Sequence, residues 1–259
     1  METVDGRRTQ DASVLQELAR NRSASGASSH TSEQASGKAE REDRDRIAMC
    51  EFAVRCATRL LLDQASTLTA LVLSQTFFTH RRKVANYKNR IPYAMERDNF
   101  VETYDRGYCF SQYDSRLIAG ASVFISTKSC EVPRTLRSIA NVVHAVANDT
   151  NEPMGTGSRY TNLKMSLINA EQTVLRVLDF DVDVTLPFNY LFKYAAQLKL
   201  VASTTHCAVK LASDVYFDAR ALALPPFVVA AASLHIASKL VEGQGVAQES
   251  KWWYLYDTR

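Results

Sequence analysis

The sequence lacks the paired cysteines of a disulfide framework or a zinc site. Its five cysteines are odd in number, and no two of them form a CxxC pair. The five histidines show neither an HxxxH nor an HExxH spacing. These absences argue against an enzyme, and we expect no catalytic residues, no metal and no cofactor.

Long apolar runs are also scarce. The N-terminus is charged and serine-rich through Arg46, so it has no apolar core of a signal peptide. The longest apolar stretch, residues 221–237, is interrupted by Pro225 and Pro226 and falls short of a membrane span. The formal net charge is only +3 and the basic residues are scattered, which makes nucleic acid an unlikely partner. We expect a soluble intracellular protein without a membrane partner.

Residues 1–46 differ from the rest of the chain. They hold a serine-rich stretch, residues 23–36, followed by a run of alternating charge. Such a composition cannot bury enough apolar surface to offset the entropy of ordering, and it predicts a disordered tail.

From Ile47 onward the apolar period is helical and no alternating strand pattern occurs, so we predict an all-α fold. Residues 83–112 read as a long irregular connection. The basic run around its start, HRRKVANYKNR at 80–90, could contact phosphate or an import receptor, but a solvated linker is the simpler interpretation. Residues 117–128 are apolar on nearly every face, which predicts a helix buried all round. Asp114 or Ser115 is its candidate N-cap. The other predicted helices cover residues 52–62, 68–78, 161–178, 205–219 and 226–240, and two more open at Pro133 and Pro187.

An internal repeat relates the two halves. LIAGASVFISTK at 117–128 aligns with VVAAASLHIASK at 228–239 at an offset of 111 residues, with five of twelve positions identical. Any two alanine-rich buried helices look partly alike. Because each helix is third in its half and ends in lysine, we interpret the match as a duplication, with a bundle around a buried central helix in each half.

Two charges stand out from the apolar pattern. Glu171 lies one turn after Leu167 and one turn before Leu175, in the middle of an apolar stripe. Lys128, at the end of the central helix, is the candidate partner. The pair could be an internal ion pair that fixes how two helices pack. Alternatively, both charges lie at the core edge and offer a donor and an acceptor to the backbone of a partner helix.

Two motifs resemble the cyclin box, in particular the transcription-type cyclins K, L, T and Q. ISTKSCEVPRTLRSIANVVH, residues 125–144, approximates the first-box pattern "AsKveE, PRxxRDVINV". EQTVLRVLDFDVDVTLPFNYL, residues 171–191, approximates "E, LxxLgF, hPhxYL", with Asp179 at the usual glycine. KWWYLYD, residues 251–257, resembles the "WW" segment of cyclin Q. The resemblance covers about residues 52–257.

The resemblance implies tandem five-helix cyclin boxes behind the tail. The first would cover residues 47–182, with the 83–112 insertion, and the second, incomplete at its C-terminal end, residues 183–259. Lys128 and Glu171 take the positions of the pair that grips the movable regulatory helix of a kinase. Further contacts are implied at four positions: Ile125, Ser129, Leu175 and Phe180.

The resemblance also implies a function. The chain would bind and activate a cyclin-dependent serine/threonine kinase, in transcription, RNA processing or the cell cycle, as a non-catalytic nuclear subunit that does not form homo-oligomers. An alternative is a cyclin-fold general transcription factor that binds DNA and polymerase, although the zinc-ribbon cysteines of those relatives are absent here. The remaining alternative is a helical scaffold without a kinase.

Overall fold

The computed structural model describes residues 40–79 and 113–242. Most of the predicted tail, the connection at 83–112 and the KWWYLYD segment therefore lie outside the described residues. Within the described ranges the ordered elements are all helical, and none of the helices is long and apolar enough to cross a membrane. The all-α prediction is confirmed.

Internal contacts divide the chain into two units, residues 1–44 and residues 45–259. Helix α1 covers residues 40–59, so residues 40–46 of the predicted disordered tail are helical. Two short 3₁₀ helices, Val215–Phe217 and Ala219–Ala223, precede the last helix. The other helices are α2 (Gln64–Thr79), α3 (Ser115–Ser129), α4 (Leu136–Ala147), α5 (Ser158–Val177), α6 (Phe188–Gln197), α7 (Ala202–Asp214) and α8 (Pro226–Glu242).

The predicted buried helix is α3. Asp114 caps it, because its carboxylate accepts hydrogen bonds from the backbone N–H groups of Arg116 and Leu117 at 2.9 and 3.4 Å. Every residue from Ile118 to Thr127 is buried, and α3 packs against α2, α4 and α5. This helix is therefore the centre of the first bundle, as the sequence predicts.

The helix predicted to open at Pro133 starts three residues later. Thr135 is the N-cap of α4, and its hydroxyl accepts a hydrogen bond from the Ser138 N–H at 3.2 Å. Pro133 lies two residues before this cap, outside the helix. The helix starts at the threonine because its hydroxyl accepts one of the free N–H groups of the first turn. Proline is compatible with the start of a helix but provides no such hydrogen bond. Pro187 does directly precede α6, as predicted.

Five helices end in a left-handed residue that is not glycine. The N–H of Phe180 donates to the carbonyl of Leu175 at 2.8 Å, and the N–H of Asp179 donates to Arg176 at 3.2 Å, which is a Schellman motif. The same pair of bonds closes α1, α3 and α6. At α4 one bond of this kind is present, from the N–H of Thr150 to the carbonyl of Ala145 at 2.9 Å. The left-handed residues have φ between 50° and 56° and are Leu61, Glu131, Asp149, Asp179 and Lys199.

The second half repeats the first only in part. Helix α8 packs against α6 and α7, as α3 packs against α2. Its buried positions Val229, Ala230 and Leu234 match Ile118, Ala119 and Val123 at the 111-residue offset. One side of α8 is nevertheless exposed, so the expectation of a fully buried central helix is wrong for the described part of this half. No described helix takes the positions that α4 and α5 occupy around α3.

Candidate functional site

The candidate site lies where the end of α3 meets the middle of α5. Lys128 is in the last turn of α3, where a cation interacts favourably with the helix dipole. Its ammonium also lies over the ring of Phe124, 3.9 Å from the centroid. Phe124 is one turn earlier on the same helix, so the chain holds the lysine in place from within α3.

Glu171 reaches Lys128 from α5 and forms an ion pair with it. The two partners differ in burial: the Glu171 side chain is 13% exposed and that of Lys128 is 50% exposed. The carboxylate is thus set into the packed face of α5, while the ammonium remains open to solvent. The geometry is compatible with both interpretations of these charges. The contact between the two side chains fits an internal ion pair, and their position at the edge of the core fits a surface that a partner helix could contact.

The remaining candidate residues differ widely in accessibility. Ile125 is only 3% exposed and belongs to the core, and Leu175 is half-buried against it. Ser129 is exposed, and its hydroxyl donates to the Ser126 carbonyl at 3.3 Å. Phe180 is 64% exposed. The structure therefore brings Lys128 and Glu171 into contact, presents Ser129 and Phe180 to solvent, and places Ile125 beneath the surface.

Phe180 is held outward by its backbone. Its φ is 61°, directly after Asp179 with φ of 55°, so two successive left-handed residues follow α5. Such a conformation is unfavourable for an aromatic residue unless the surroundings hold it. The Schellman bonds at the end of α5 supply that restraint. A large apolar ring is thereby fixed on the surface, where it does not contribute to the core.

Two contacts at the site were not predicted from the sequence. Phe124 supports the Lys128 ammonium, and its position four residues before the lysine is a usable signal. Cys130, the C-cap of α3, donates its thiol to the Thr69 hydroxyl at 3.6 Å. Thr69 is 61 residues away in sequence, so nothing in the local pattern pointed to it.

The described residues of the site are groups that can bind a partner. They combine one cation, one carboxylate and one exposed aromatic ring. In the ranges that the structure describes, no group of three histidine, cysteine or acidic side chains could hold a metal ion. An open groove of about 1140 Å³ lies elsewhere, between α6, α7 and residues 183–186, and includes none of the six candidate residues.

The chain is similar in sequence to known cyclins, although no family model matches it. It is 22% identical over 218 residues to cyclin-T1-4 of Arabidopsis thaliana, covering 82% of this chain and 35% of the relative. It is 24% identical over 224 residues to cyclin-L1 of Gallus gallus, covering 82% and 36%. A shorter match, 36% identical over 77 residues, is to the CTD kinase subunit beta of Schizosaccharomyces pombe, covering 30% and 23%. The chain spans about a third of the length of the first two relatives.

A solved structure shares the fold. A chain in the crystal structure of the yeast RNA Pol II CTD kinase CTDK-1 complex superposes with a TM-score of 0.59 at 16% identity, covering 85% of this chain and 61% of that one. The sequence matches and the fold agree with the two box motifs. The resemblance to transcription-type cyclins is therefore confirmed: the homologues of this chain are cyclins T and L and a CTD kinase beta subunit, and its fold is that of a cyclin.

Proposed function

We propose that this chain is a regulatory subunit that binds and activates a cyclin-dependent serine/threonine kinase acting in transcription. In this proposal the chain is nuclear and performs no chemistry itself. The proposal is supported by the sequence relatives, which are named as cyclins T and L and as a CTD kinase subunit. It is also supported by the fold, which this chain shares with one chain of a CTD kinase complex.

The ion pair of Lys128 and Glu171 is the observation that carries the proposal. An ammonium has three donors and a carboxylate has about four acceptor positions, so the contact between them leaves groups of both kinds unused. The half-exposed ammonium can donate to backbone carbonyls at one end of a partner helix. The carboxylate, already fixed by the lysine, can accept from a backbone N–H or a side chain there. Preorganised charges of this kind give orientation as well as affinity.

The exposed groups around the pair complete a contact surface. Ser129 continues it past the end of α3, and the ring of Phe180 adds an apolar anchor beyond the end of α5. Leu175 and Ile125 support it from below, so we propose that they act by shaping the surface. Binding would activate the kinase by favouring one position of its regulatory helix, in which the catalytic ion pair of the kinase is complete.

We also propose the two-box division at about residue 183. Helices α1 to α3 correspond in order to α6 to α8, and the repeat aligns α3 with α8. In this division the kinase-contacting residues all belong to the first box, residues 47–182. The second box would then position the first or contact other partners.

The proposal is tested by reversing the charges. The full chain is co-expressed with candidate transcription kinases, and recovered kinase and its activity on a peptide substrate are measured. Lys128→Glu alone places two carboxylates together and should reduce recovery at least about tenfold, as for an interface hot spot. The double variant Lys128→Glu with Glu171→Lys restores the internal pair but reverses the charges that a partner meets, so it should stay folded and still fail to bind.

The exposed ion pair of Arg55 and Asp149, 2.8 Å apart, supplies a matched control. Arg55→Glu removes a surface pair outside the site and should leave kinase recovery unchanged. Recovery of an active kinase by the double variant at the level of the wild type would show that the charges only pack α3 against α5. A folded wild type that recovers no kinase would overturn the proposed function.

A further inference from the structure

Helix α8 carries an uncovered apolar stripe. Val228, Ala232, Ile236 and Leu240 follow one another at four-residue steps, so they lie along one side of the helix. All four are exposed, and Ile236 is 49% exposed. Large apolar side chains in a continuous row usually mark a surface that is covered by something else.

The internal repeat shows how such a stripe is covered in the first half. The equivalents of Val228, Ala232 and Ile236 at the 111-residue offset are Leu117, Ala121 and Ile125. Ala121 and Ile125 are buried, at 0% and 3% exposure, and Leu117 packs against the core. Helices α4 and α5 lie against α3. The same kind of helix face is thus closed in one half and open in the other.

A glycine supports the comparison. A Cβ on Gly120 would lie 2.7 Å from Cγ2 of Val143 in α4, so the close approach of α4 requires glycine at this point of α3. The equivalent residue of α8 is Ala231, which is half-buried. A methyl group is accommodated there because no described helix approaches α8 as closely as α4 approaches α3.

We propose that the C-terminal segment Trp252–Tyr256 of this same chain packs on the α8 stripe. Its five residues, WWYLY, are all aromatic or apolar, and polar or charged residues flank them on both sides, QESK before and DTR after. Residues 243–251 separate it from α8, and nine residues can span at most about 30 Å. Helix α8, with 17 residues, is about 25 Å long, so the segment can reach any part of the stripe.

The tether is the reason to prefer this occupant. A segment joined to the helix it covers has an effective concentration in the millimolar range, well above that of a free partner or a second copy. Packing of the segment on the stripe removes its aromatic side chains and the exposed aliphatic side chains of α8 from water in one event. The segment thereby takes the place that α4 and α5 hold in the first half.

Tryptophan fluorescence tests the proposal directly, because Trp252 and Trp253 are the only tryptophans of the chain. In the full-length protein we expect blue-shifted emission and quenching by acrylamide several times weaker than in the urea-unfolded chain. Ile236→Glu should shift the emission to the red and raise quenching severalfold toward the unfolded value. Met165→Glu, at a position 51% exposed on α5, is the matched control and should change neither.

Circular dichroism checks that each variant is folded, and Leu240→Lys, at a more exposed position of the stripe, provides a second test if Ile236→Glu is not. If acrylamide quenches the tryptophans of the folded wild type as strongly as those of the urea-unfolded chain, the proposal is overturned. The stripe would then be a candidate surface for binding another protein. Emission that becomes blue-shifted only as protein concentration rises would assign it to a second copy instead. Protection that survives both stripe variants would place the segment elsewhere on the molecule.

Discussion

Gln75 of α2 donates a hydrogen bond to the backbone carbonyl of Phe217, 142 residues later in the sequence, with an N···O distance of 3.0 Å. The same amide group is 3.4 Å from the carbonyl of Tyr216, and its oxygen accepts from the Arg46 guanidinium at 2.9 Å. Gln75 is fully buried. One side chain therefore joins α1, α2 and the 3₁₀ turn that precedes α8.

Replacement of Gln75 by methionine keeps the length of the side chain but removes these hydrogen bonds. Buried groups left without partners cost roughly 1–3 kcal/mol. We expect Gln75→Met to lower the free energy of unfolding by that amount, measured as a shift of the urea midpoint at unchanged slope.

Gln64 provides the control for this substitution. It also lies on α2 and bonds to Ser213 of α7 at 3.0 Å, but on the surface, where water replaces the bond. Gln64→Met should change the stability by less than about 0.5 kcal/mol. Equal losses in the two variants would contradict a special role for the buried amide.

Gly120→Ala tests the close packing of α3 on α4. Alanine favours a helix over glycine by about 1 kcal/mol, but the new methyl group meets Val143 at 2.7 Å. Overpacking of this kind costs about 1–3 kcal/mol, so we expect a net loss of stability in thermal or urea unfolding. Ala231→Gly on α8 should also destabilise, by about 1 kcal/mol through propensity alone. A stabilised Gly120→Ala variant would show that α4 can move away from α3.

Leu61→Gly should stabilise the protein. Leu61 follows the end of α1 with φ of 52° and is 84% exposed. Its side chain therefore adds little packing energy, whereas its left-handed backbone conformation is unfavourable for any residue other than glycine. We expect a gain of up to about 1 kcal/mol in the free energy of unfolding. Leu61→Ala keeps the left-handed cost and should change little, so a gain in both variants would point to the loss of an exposed apolar side chain.

The thiols of α1 should be inert in the folded protein. Burial raises the pKa of Cys50 to about 11 and that of Cys56 to about 12, so both stay protonated well above neutral pH. Mass spectrometry after iodoacetamide treatment should find Cys130 and Cys207, which are half-buried, modified before Cys50 and Cys56. Early modification of Cys56 would indicate that α1 opens locally.

The same two pKa values predict alkaline destabilisation. In the unfolded chain these thiols lose their protons near the ordinary value of about 8.5, whereas in the folded protein they keep them to higher pH. Their contribution to stability is complete below that value and is lost as the pH rises through the folded pKa values. The free energy of unfolding should therefore fall from about pH 8.5 up to the folded pKa values of about 11 and 12, and Cys56→Ala should reduce the slope.

Sequence periodicity was sufficient for the helical class, for the buried α3 and for the two charges of the site. These features depend on local spacing. A helix that is apolar on nearly every face can be recognised from its own residues, and so can a carboxylate that interrupts an apolar stripe, whichever segment the stripe packs against. The start of α4 was missed by three residues because the cap at Thr135, whose hydroxyl accepts the free N–H of Ser138 in the first turn, outweighs the nearby proline.

By itself, then, the sequence determined the all-α fold, the α3–α8 repeat, and Lys128 and Glu171 as the charges to examine. Only the tertiary structure decided that Ile125 is buried while Phe180 is exposed, that Phe124 supports the lysine, and that Gln75 bonds to a turn 142 residues away. It also decided that, among the described residues, one side of α8 is exposed whereas the corresponding side of α3, its partner in the repeat, is enclosed. The physical reason is that the burial of a helix face depends on which sequence-distant segment packs against it. The spacing of residues within the helix does not contain that information.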